Sequence, residues 1–560
     1  MNAEDLCREG DSLKAQGQYK DAFARYQSSA EGWCGLGMYR LAECYDKGLG
    51  TDMCKTLAKG WYGRAAELHI PDSGDKFLWL ENHPEFVNMV DGKPYNPADS
   101  ILDEKRRNCR RALRAFNAQG GGADTLRRDL QLQMDESASI DAPFHCDYGE
   151  NILIGAQTRI ARGCLILDSA PVYIGKNVAI GQCVHIYTAT HPLEYRERNK
   201  GEGASRPVRI GDNVRIEKDV VICPGVEIGD CAVIGDGAVV RGNVPPKGRC
   251  ERDMNSAIDD FLEDLRHPSS ELESPRKSQE DEDELSKCLK TLLQGDSAPK
   301  KEGTGNVGKE FEPCVPSNGK DGVRTFEQIR RAAENEDAET LYQQALRYDE
   351  GRGVPLSKRT ALHYFRLAAE KRHQDAKRRR DWLCAHEPFI CMVDGENYSA
   401  DDNFLRALRS KAASISDKYG ETEDKALLDR EMHLAEGTCI TPPFTWEYGS
   451  NIFMENGTYV NKCCYFDDSA PIYIGRNVIF GPGVRVITSQ DSPDGNGMKV
   501  AKPVVIEDNC WICGKVTIYP GVKVGAGAVV GAGSEVKEDV PPNTLVTGNP
   551  AKVTEKIKQD

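Results

Sequence analysis

The stretch VRIGDNVRIEKDVVICPGVEIGDCAVIGDGAVV, residues 208–240, decides the fold of this chain. An aliphatic residue recurs at every sixth position, and a second apolar residue lies two positions before each of them. The first series is Ile210, Ile216, Ile222, Ile228, Ile234 and Val240, and the second is Val208, Val214, Val220, Val226, Ala232 and Ala238. A period of six matches neither a helix nor an alternating strand. It predicts a prism in which each hexad forms one short parallel strand and a tight corner, with three hexads per coil.

The same module occurs twice in the chain. DSAPVYIGKNV, from Asp168, returns as DSAPIYIGRNV from Asp468, and a second hexad series runs from Ile506 to Val536. Further upstream, YDKGLGTDMCKTLAKGWYGRAAE from Tyr45 returns as YDEGRGVPLSKRTALHYFRLAAE from Tyr348. Self-similarity of this kind indicates a tandem duplication of the whole module.

Helix-period sequence precedes each hexad region. We therefore predict a mainly β fold with α, in which two parallel β-helix domains each follow a short α-helical repeat segment. The segments are 1–80 (helical), 81–248 (first β-helix domain), 249–323 (acidic flexible linker), 324–384 (helical) and 385–560 (second β-helix domain). The linker is rich in Ser, Pro, Glu and Lys, and two amphipathic pieces within it, 258–265 and 285–293, would be able to dock as helices.

Composition narrows the functional classes. The net charge of −15 opposes binding to nucleic acid or anionic lipid, and no run of about 18 apolar residues suggests a membrane span. The polar start and the scattered positions of the 20 cysteines predict a cytoplasmic protein in a reducing compartment. Cys510 and Cys513 form a CxxC motif, but both fall on hexad positions, so we expect no metal.

The hexad pattern resembles the left-handed parallel β-helix of hexapeptide-repeat acyltransferases, and its handedness is implied by that resemblance alone. Within that superfamily the chain is similar to the maltose and galactoside O-acetyltransferase branch. The motifs that carry the likeness are VDGKPYNPAD and VDGENYSADD, PFHCDYGENILIG and PFTWEYGSNIFM, the two DSAP hexads, and the terminal PPNTLVTGNPAKV from Pro541. The helical segments resemble Sel-type repeats, relatives of tetratricopeptide repeats, through the YDxGxG turn and the closing AAE.

The resemblance implies acetyl transfer from acetyl-CoA to a hydroxyl of a sugar or other small alcohol. His191 occupies the family's His-Pro motif in YTATHPLEYRERNKGEG, the loop that leaves the prism between Ile186 and Ile210. A histidine near its ordinary pKa suits a general base toward an alcohol. By the hexad count, His185 points outward and is expected at the surface.

Further site residues follow from the same resemblance. Asp147, in CDYG, and Asn461 match acceptor-contacting positions of the family. Asp147 has an alternative role, which is to cap the turn where the solenoid begins. Four positions of the second copy match the side that binds acetyl-CoA in the family: Trp511, Gly514, Ala532 and Lys552.

Each copy lacks family site residues that the other copy retains. Asp491 stands in the second copy where the first has His191, and an aspartate of ordinary pKa is a weak base toward an alcohol. Arg215 and Ala161 stand in the first copy where the second has Trp511 and Asn461. Because family members place their active sites between neighbouring prisms of a trimer, we predict a composite site in which His191 faces the acetyl-CoA side of a second-copy prism.

Three questions stay open at this point: how the chains assemble, whether both copies are active, and whether the protein is an enzyme or a scaffold. The chain would be a homo-oligomer with trimer-like packing, formed either by stacked trimers of each copy or by mixed prisms. One copy would be active and the other regulatory, if the site is not shared. A catalytically inactive scaffold, binding a protein partner through its helical repeats, is the rival to an enzyme.

Overall fold

The computed structural model describes residues 2–118, 122–251, 336–495 and 497–558. Two strand regions repeat one another in order, and helices precede each of them. The helices of the first half are α1 (Ala3–Ala15), α2 (Tyr19–Glu31), α3 (Gly35–Lys47), α4 (Lys55–Glu67), α5 (Ser73–Asn82), α6 (Pro84–Val90), α7 (Ser100–Ala118), α8 (Ala123–Asp129) and α9 (Tyr195–Arg198). Those of the second half are α10 (Ala338–Glu350), α11 (Lys358–Glu370), α12 (Gln374–Ala385), α13 (Glu387–Val393), α14 (Asn403–Thr422) and α15 (Lys425–Asp429).

The first strand region is a three-sided solenoid. Its strands are β1 (Gln133–Met134), β2 (Ser139–Ile140), β3 (Phe144–Cys146), β4 (Ile152–Ile154), β5 (Arg159–Ile160), β6 (Cys164–Leu167), β7 (Val172–Ile174), β8 (Ala179–Ile180), β9 (His185–Tyr187), β10 (Ala189–Thr190), β11 (Ala204–Ser205), β12 (Val208–Ile210), β13 (Arg215–Ile216), β14 (Val221–Ile222), β15 (Glu227–Ile228), β16 (Val233–Ile234), β17 (Val239–Val240) and β18 (Arg249–Cys250). Three parallel sheets have the orders β1-β4-β7-β12-β15, β18-β16-β13-β8-β5-β2 and β17-β14-β9-β6-β3.

The second region repeats this plan. Its strands are β19 (His433–Leu434), β20 (Cys439–Ile440), β21 (Phe444–Trp446), β22 (Ile452–Met454), β23 (Tyr459–Val460), β24 (Cys464–Asp467), β25 (Ile472–Ile474), β26 (Ile479–Phe480), β27 (Arg485–Ile487), β28 (Ser489–Asp491), β29 (Lys499–Ala501), β30 (Val504–Ile506), β31 (Trp511–Ile512), β32 (Thr517–Ile518), β33 (Lys523–Val524), β34 (Val529–Val530), β35 (Glu535–Val536), β36 (Thr544–Gly548) and β37 (Ala551–Lys556). The sheet β20-β23-β26-β31-β34-β36-β37 ends in an antiparallel hairpin of its last two strands.

The hexad prediction accounts for the interior of both solenoids. The aliphatic residues of the two series point to the axis and are buried, as Ile216, Ile222 and Val214 illustrate. Consecutive hexads belong to different sheets, so each strand pairs with the one three hexads later, for example Ile216 with Ile234. Left-handed backbone at corners such as Asn177 and Asn213 turns the chain between faces. The handedness of the coil stays an expectation from the family resemblance.

The two solenoids lie side by side and run in the same direction, because the contacts between them advance together along both copies, from Lys462 with Cys146 to Lys515 with Cys183 and Ala532 with Arg241. The first copy presents the sheet of β3, β6, β9, β14 and β17, and the second presents strands β20, β23, β26, β31, β34 and β36 of one sheet. Outward side chains on both faces are mostly apolar, and Leu165, Val221, Val529 and Leu545 are buried between them. One hydrophobic cluster therefore contains the first solenoid core together with Trp511, Cys513 and Ala532 of the second copy.

Two sequence-based expectations need correction. His185 is only 6% exposed, because the second copy covers the strand on which it points outward. The predicted linker start at residue 249 falls inside the solenoid, since Arg249 and Cys250 pair in parallel with Val233 and Ile234.

The remaining expectations concern helices and linker. The paired helices α3 and α4, and α10 and α11, contact each other closely, and their likeness to Sel-type repeats stays a prediction. The linker beyond residue 251, its two amphipathic pieces and residues 324–335 lie outside the described residues. Among the helices that the structure describes, none combines the length and apolar character that a bilayer crossing requires.

Candidate active site

The loop that carries His191 leaves the first solenoid through a small two-stranded sheet. β10 and β11 pair antiparallel, with Thr190 opposite Ala204, so His191 follows the paired segment directly. Backbone hydrogen bonds in both directions between Tyr95 and Gly203 tie the far end of the loop to the segment after α6. The inserted loop is thus held at both ends, and His191 lies where the loop leaves the paired strand β10.

His191 lies beside Trp511 of the second copy. The ring centroids are 5.5 Å apart and the rings are perpendicular, an edge-to-face contact. Trp511 points outward from its solenoid because Ile512, the next residue, takes the inward position of the hexad. It is nevertheless only 7% exposed, since the first copy covers it. The structure therefore brings together two predicted site residues from different copies.

The environment of His191 favours its neutral form. Burial, together with the charge of Arg198, lowers the pKa of His191 to about 4. The unprotonated imidazole therefore predominates at neutral pH and is able to accept a proton. Its pKa is nevertheless below the ordinary value expected from the sequence, which makes His191 a weaker base than a solvent-exposed histidine.

The predicted acceptor residues lie at another part of the same interface. The Asp147 carboxylate accepts a hydrogen bond from Lys462 Nζ at 2.5 Å, and Lys462 also donates to the Cys146 carbonyl at 2.8 Å. Asn461 is adjacent in sequence and half-buried, and its side-chain oxygen accepts a hydrogen bond from the Lys462 backbone N–H. Lys462 thus contacts both predicted acceptor residues, Asp147 through its ammonium group and Asn461 through its backbone N–H, a role that the sequence reasoning missed.

The other predicted residues occupy different positions. A Cβ atom at Gly514 would lie 2.2 Å from the Tyr187 hydroxyl of the first copy, so only glycine permits this packing. Ala532 is buried, and its carbonyl accepts a hydrogen bond from Arg241 at 3.2 Å. Lys552 is on the terminal hairpin, 3.5 Å from the Glu538 carboxylate, three strands from Trp511 in the same sheet.

Both cysteines near Trp511 are buried, Cys510 inside the second solenoid and Cys513 at the interface between the copies. Burial raises the pKa of Cys510 to about 12 and raises the pKa of Cys513 further. Such thiols are poor nucleophiles at neutral pH. Within the described ranges, no three His, Cys, Asp or Glu side chains are grouped so as to hold a metal ion.

The residues that align with Trp511 and His191 in the opposite copies differ from them in chemistry. Arg215, which takes the place of Trp511 in the first copy, is an exposed residue in an ion pair with Glu217 at 2.5 Å. Asp491, opposite His191 in the copy alignment, is 92% exposed and lies 3.3 Å from Lys499. The histidine and the tryptophan therefore meet at the interface between the copies, while their counterparts lie on charged outer surfaces.

Comparison with known proteins agrees with this architecture. The bacterial transferase hexapeptide model (six repeats) matches residues 207–242 and 503–538, and the maltose acetyltransferase hexapeptide capping motif matches residues 88–134. Nodulation protein L of Rhizobium meliloti is 43% identical over 162 residues, which is 28% of this chain and 88% of that protein. Galactoside O-acetyltransferase of Lactococcus lactis is 33% identical over 174 residues, 29% of this chain and 84% of that protein.

A solved structure is also similar to one copy. The hexapeptide-repeat acetyltransferase of Vibrio cholerae, complexed with acetyl coenzyme A, is 37% identical, with 30% of this chain and 98% of that chain covered and a TM-score of 0.29. From the sequence relatives, this chain belongs to the hexapeptide-repeat acetyltransferase family.

Proposed function

We propose that this protein transfers the acetyl group of acetyl-CoA to a hydroxyl of a sugar or other small alcohol, at one site built from both copies. The observation that carries this proposal is the contact of His191 with Trp511, which joins the family's base position to its acetyl-CoA side. The relatives named as O-acetyltransferases support the choice of reaction.

His191 is the general base of the proposed reaction. Its neutral ring takes the hydroxyl proton as the acceptor oxygen attacks the thioester carbonyl. The tetrahedral intermediate then expels the CoA thiolate, which receives the proton from the imidazolium. Transfer is direct, since the nearby thiols of Cys510 and Cys513 are buried and held protonated.

The proposal assigns different residues of the interface to the hydroxyl acceptor and to acetyl-CoA. Asp147 has a second carboxylate oxygen that would accept a hydrogen bond from an acceptor hydroxyl, and Asn461 offers an amide nitrogen. Trp511 and Ala532 are assigned to the side of the site that binds acetyl-CoA. Gly514, the third residue of that predicted wall, packs against the Tyr187 hydroxyl of the first copy, so acetyl-CoA would reach Gly514 only if Tyr187 moved. Lys552, exposed on the terminal hairpin, would attract the CoA phosphates.

The assembly and location are part of the same proposal. The two side-by-side prisms of one chain supply both halves of the site, which supports the mixed arrangement of copies over stacked trimers of each copy. A second site in the same chain would need Arg215 in place of Trp511 and Asp491 in place of His191. Because neither residue matches its counterpart in chemistry, we assign one site to each chain. We place the protein in the cytoplasm on the basis of its composition.

Acetyl-CoA consumption against a panel of sugars and small alcohols tests the proposal. We expect His191→Ala to lower kcat about 100-fold or more while acetyl-CoA binding, measured by calorimetry, persists. Trp511→Ala is expected to weaken acetyl-CoA binding. Asp491→Ala, in the exposed counterpart loop, is the matched control and should leave both properties unchanged. Wild-type turnover that survives His191→Ala would refute the general-base role, and a wild-type protein without acetyl-CoA binding would refute the function.

A further inference from the structure

Arg198 is buried at the junction of the two copies. It is the last residue of α9, and it is only 3% exposed. Its Nη1 donates hydrogen bonds to the carbonyls of Pro192 and Leu193, at 2.8 and 2.9 Å, which follow His191 directly in the chain. Its Nη2 donates to the carbonyl of Asn509 in the second copy at 2.7 Å. A single guanidinium therefore connects the His191 loop to the corner that precedes β31, the strand of Trp511.

A neighbouring contact reinforces this connection. Asn199 Nδ2 donates to Asn509 Oδ1 at 2.8 Å. The guanidinium carbon of Arg198 lies 5.8 Å from the centre of the Trp511 ring, within range of a cation–π interaction. The loop and the tryptophan are thus held by adjacent groups, and a displacement of one would displace the other.

The guanidinium is not paired with a carboxylate. Among the described residues, no Asp or Glu forms an ion pair with Arg198, and its Nε, although buried, has no hydrogen-bond partner. Burial lowers the pKa of Arg198 to about 10, while the nearby Cys510 and Cys513 act in the opposite direction. A buried unpaired charge costs folding free energy, so packing alone does not explain an arginine here.

We propose that Arg198 is a positioning residue of the acetyl-transfer site, which clamps the His191 loop onto the second copy and so sets the His191 ring against Trp511. This inference rests on the proposed function for its catalytic consequence. The clamp itself follows from the three carbonyl contacts, of which two are to the His191 loop and one is to Asn509 of the second copy. Lysine, with a single nitrogen, cannot reproduce the fork that reaches both sides.

The charge of Arg198 has a second effect, on His191. Arg198 is the charged group that faces His191, and the groups that face Arg198 in turn are the thiols of Cys510 and Cys513. Next to this cation, protonated His191 is disfavoured, which adds to the effect of burial on its pKa. In the proposed reaction, the imidazolium would therefore give its proton promptly to the leaving thiolate.

A set of variants distinguishes the clamping of the His191 loop from the effect of the Arg198 charge on the pKa of His191. Arg198→Met and Arg198→Gln remove the charge and the fork, and Arg198→Lys keeps the charge while losing the fork. Arg196→Met is the matched control, because Arg196 lies on the same short helix and is exposed. The pKa of His191 is measured by NMR titration of histidine Cε1 in the full chain, with the resonance assigned by its loss in His191→Ala, and kcat and KM are measured on the same preparations.

We expect Arg198→Met or Arg198→Gln to raise the pKa of His191 by about one unit or more, which moves the acidic limb of the pH profile of kcat/KM upward. Their kcat should fall about 10- to 100-fold, with a smaller change in KM for acetyl-CoA. Arg198→Lys should keep the pKa of His191 within a few tenths of wild type and still lose kcat.

The clamp is refuted if kcat of the folded charge-removing variants, checked by circular dichroism, equals that of Arg196→Met. An unmoved His191 titration in those variants would refute the electrostatic part. A wild type that transfers no acetyl group would end the proposed function, whereas the titration would still decide whether Arg198 controls His191. Arg198→Met removes the charge with an apolar side chain and Arg198→Gln removes it with a polar one. If one of these variants fails to fold, the other still provides the test.

Discussion

Lys462 and Asp147 form an ion pair between the copies. The Lys462 side chain is 3% exposed and that of Asp147 is 15% exposed. Burial opposes the charged ammonium, yet the charge of Asp147, its hydrogen bond and the nearby Cys109 and Cys146 together outweigh burial and raise the pKa of Lys462. An ion pair in this position stabilises the contact between copies only while both partners are present.

Removal of one partner should therefore cost more than removal of both. We expect Lys462→Met to lower the free energy of unfolding by about 3 kcal/mol, because Asp147 would stay buried without a counter-charge. Addition of Asp147→Asn to Lys462→Met should recover most of that loss. Denaturant unfolding of the four proteins of this double-mutant cycle measures the coupling. Equal and additive losses would show that the pair is not coupled.

At the scale of elements, a buried aspartate anchors the turn between β3 and β4. Asp168 follows β6, and its carboxylate accepts hydrogen bonds from the backbone N–H groups of Asp147, Tyr148 and Gly149, at 2.9, 2.9 and 2.7 Å. Burial, followed by the charge of Asp147, raises the pKa of Asp168 to about 6. Asp468 has the same position in the second copy and accepts from Glu447, Tyr448 and Asn451.

This repetition supplies a matched pair of variants. An amide offers one acceptor oxygen where the carboxylate offers two, so Asp168→Asn and Asp468→Asn should each lower the free energy of unfolding by about 2 kcal/mol. Only Asp168→Asn should also raise the KM for the hydroxyl acceptor, since only that turn carries Asp147. Thermal unfolding and steady-state kinetics check both statements. An equal KM in the two variants would count against an acceptor role for Asp147.

At the scale of the whole molecule, helices as well as solenoids join the copies. Arg110 of α7 donates from Nε and Nη2 to both carboxylate oxygens of Glu423, which follows α14, at 3.0 and 2.7 Å. Arg114 donates to the carbonyls of Gly420 and Glu421. The site between the solenoids thus depends on an interface that extends well beyond it.

A charge reversal tests this arrangement. Arg110→Glu places two carboxylates together and should lower both the midpoint of thermal unfolding and the rate of acetyl transfer. Glu423→Arg in the same chain should restore both, because the pair is re-formed with its charges exchanged. Arg128→Glu, at an exposed ion pair with Asp129, is the control. Failure of the second substitution to restore the first would contradict the side-by-side packing.

The sequence by itself determined the solenoid, its repetition and the assignment of His191 and Trp511 to opposite copies, since a period of six specifies which side chains point inward. Hexad counting also identifies outward residues, but it does not tell which outward face another prism will cover. The burial of His185, the pairing of Lys462 with Asp147 and the unpaired charge of Arg198 were decided by the tertiary structure alone. The physical reason is that these contacts join residues about 300 positions apart, such as Arg198 and Asn509, whose meeting depends on how two completed solenoids pack and not on any local pattern.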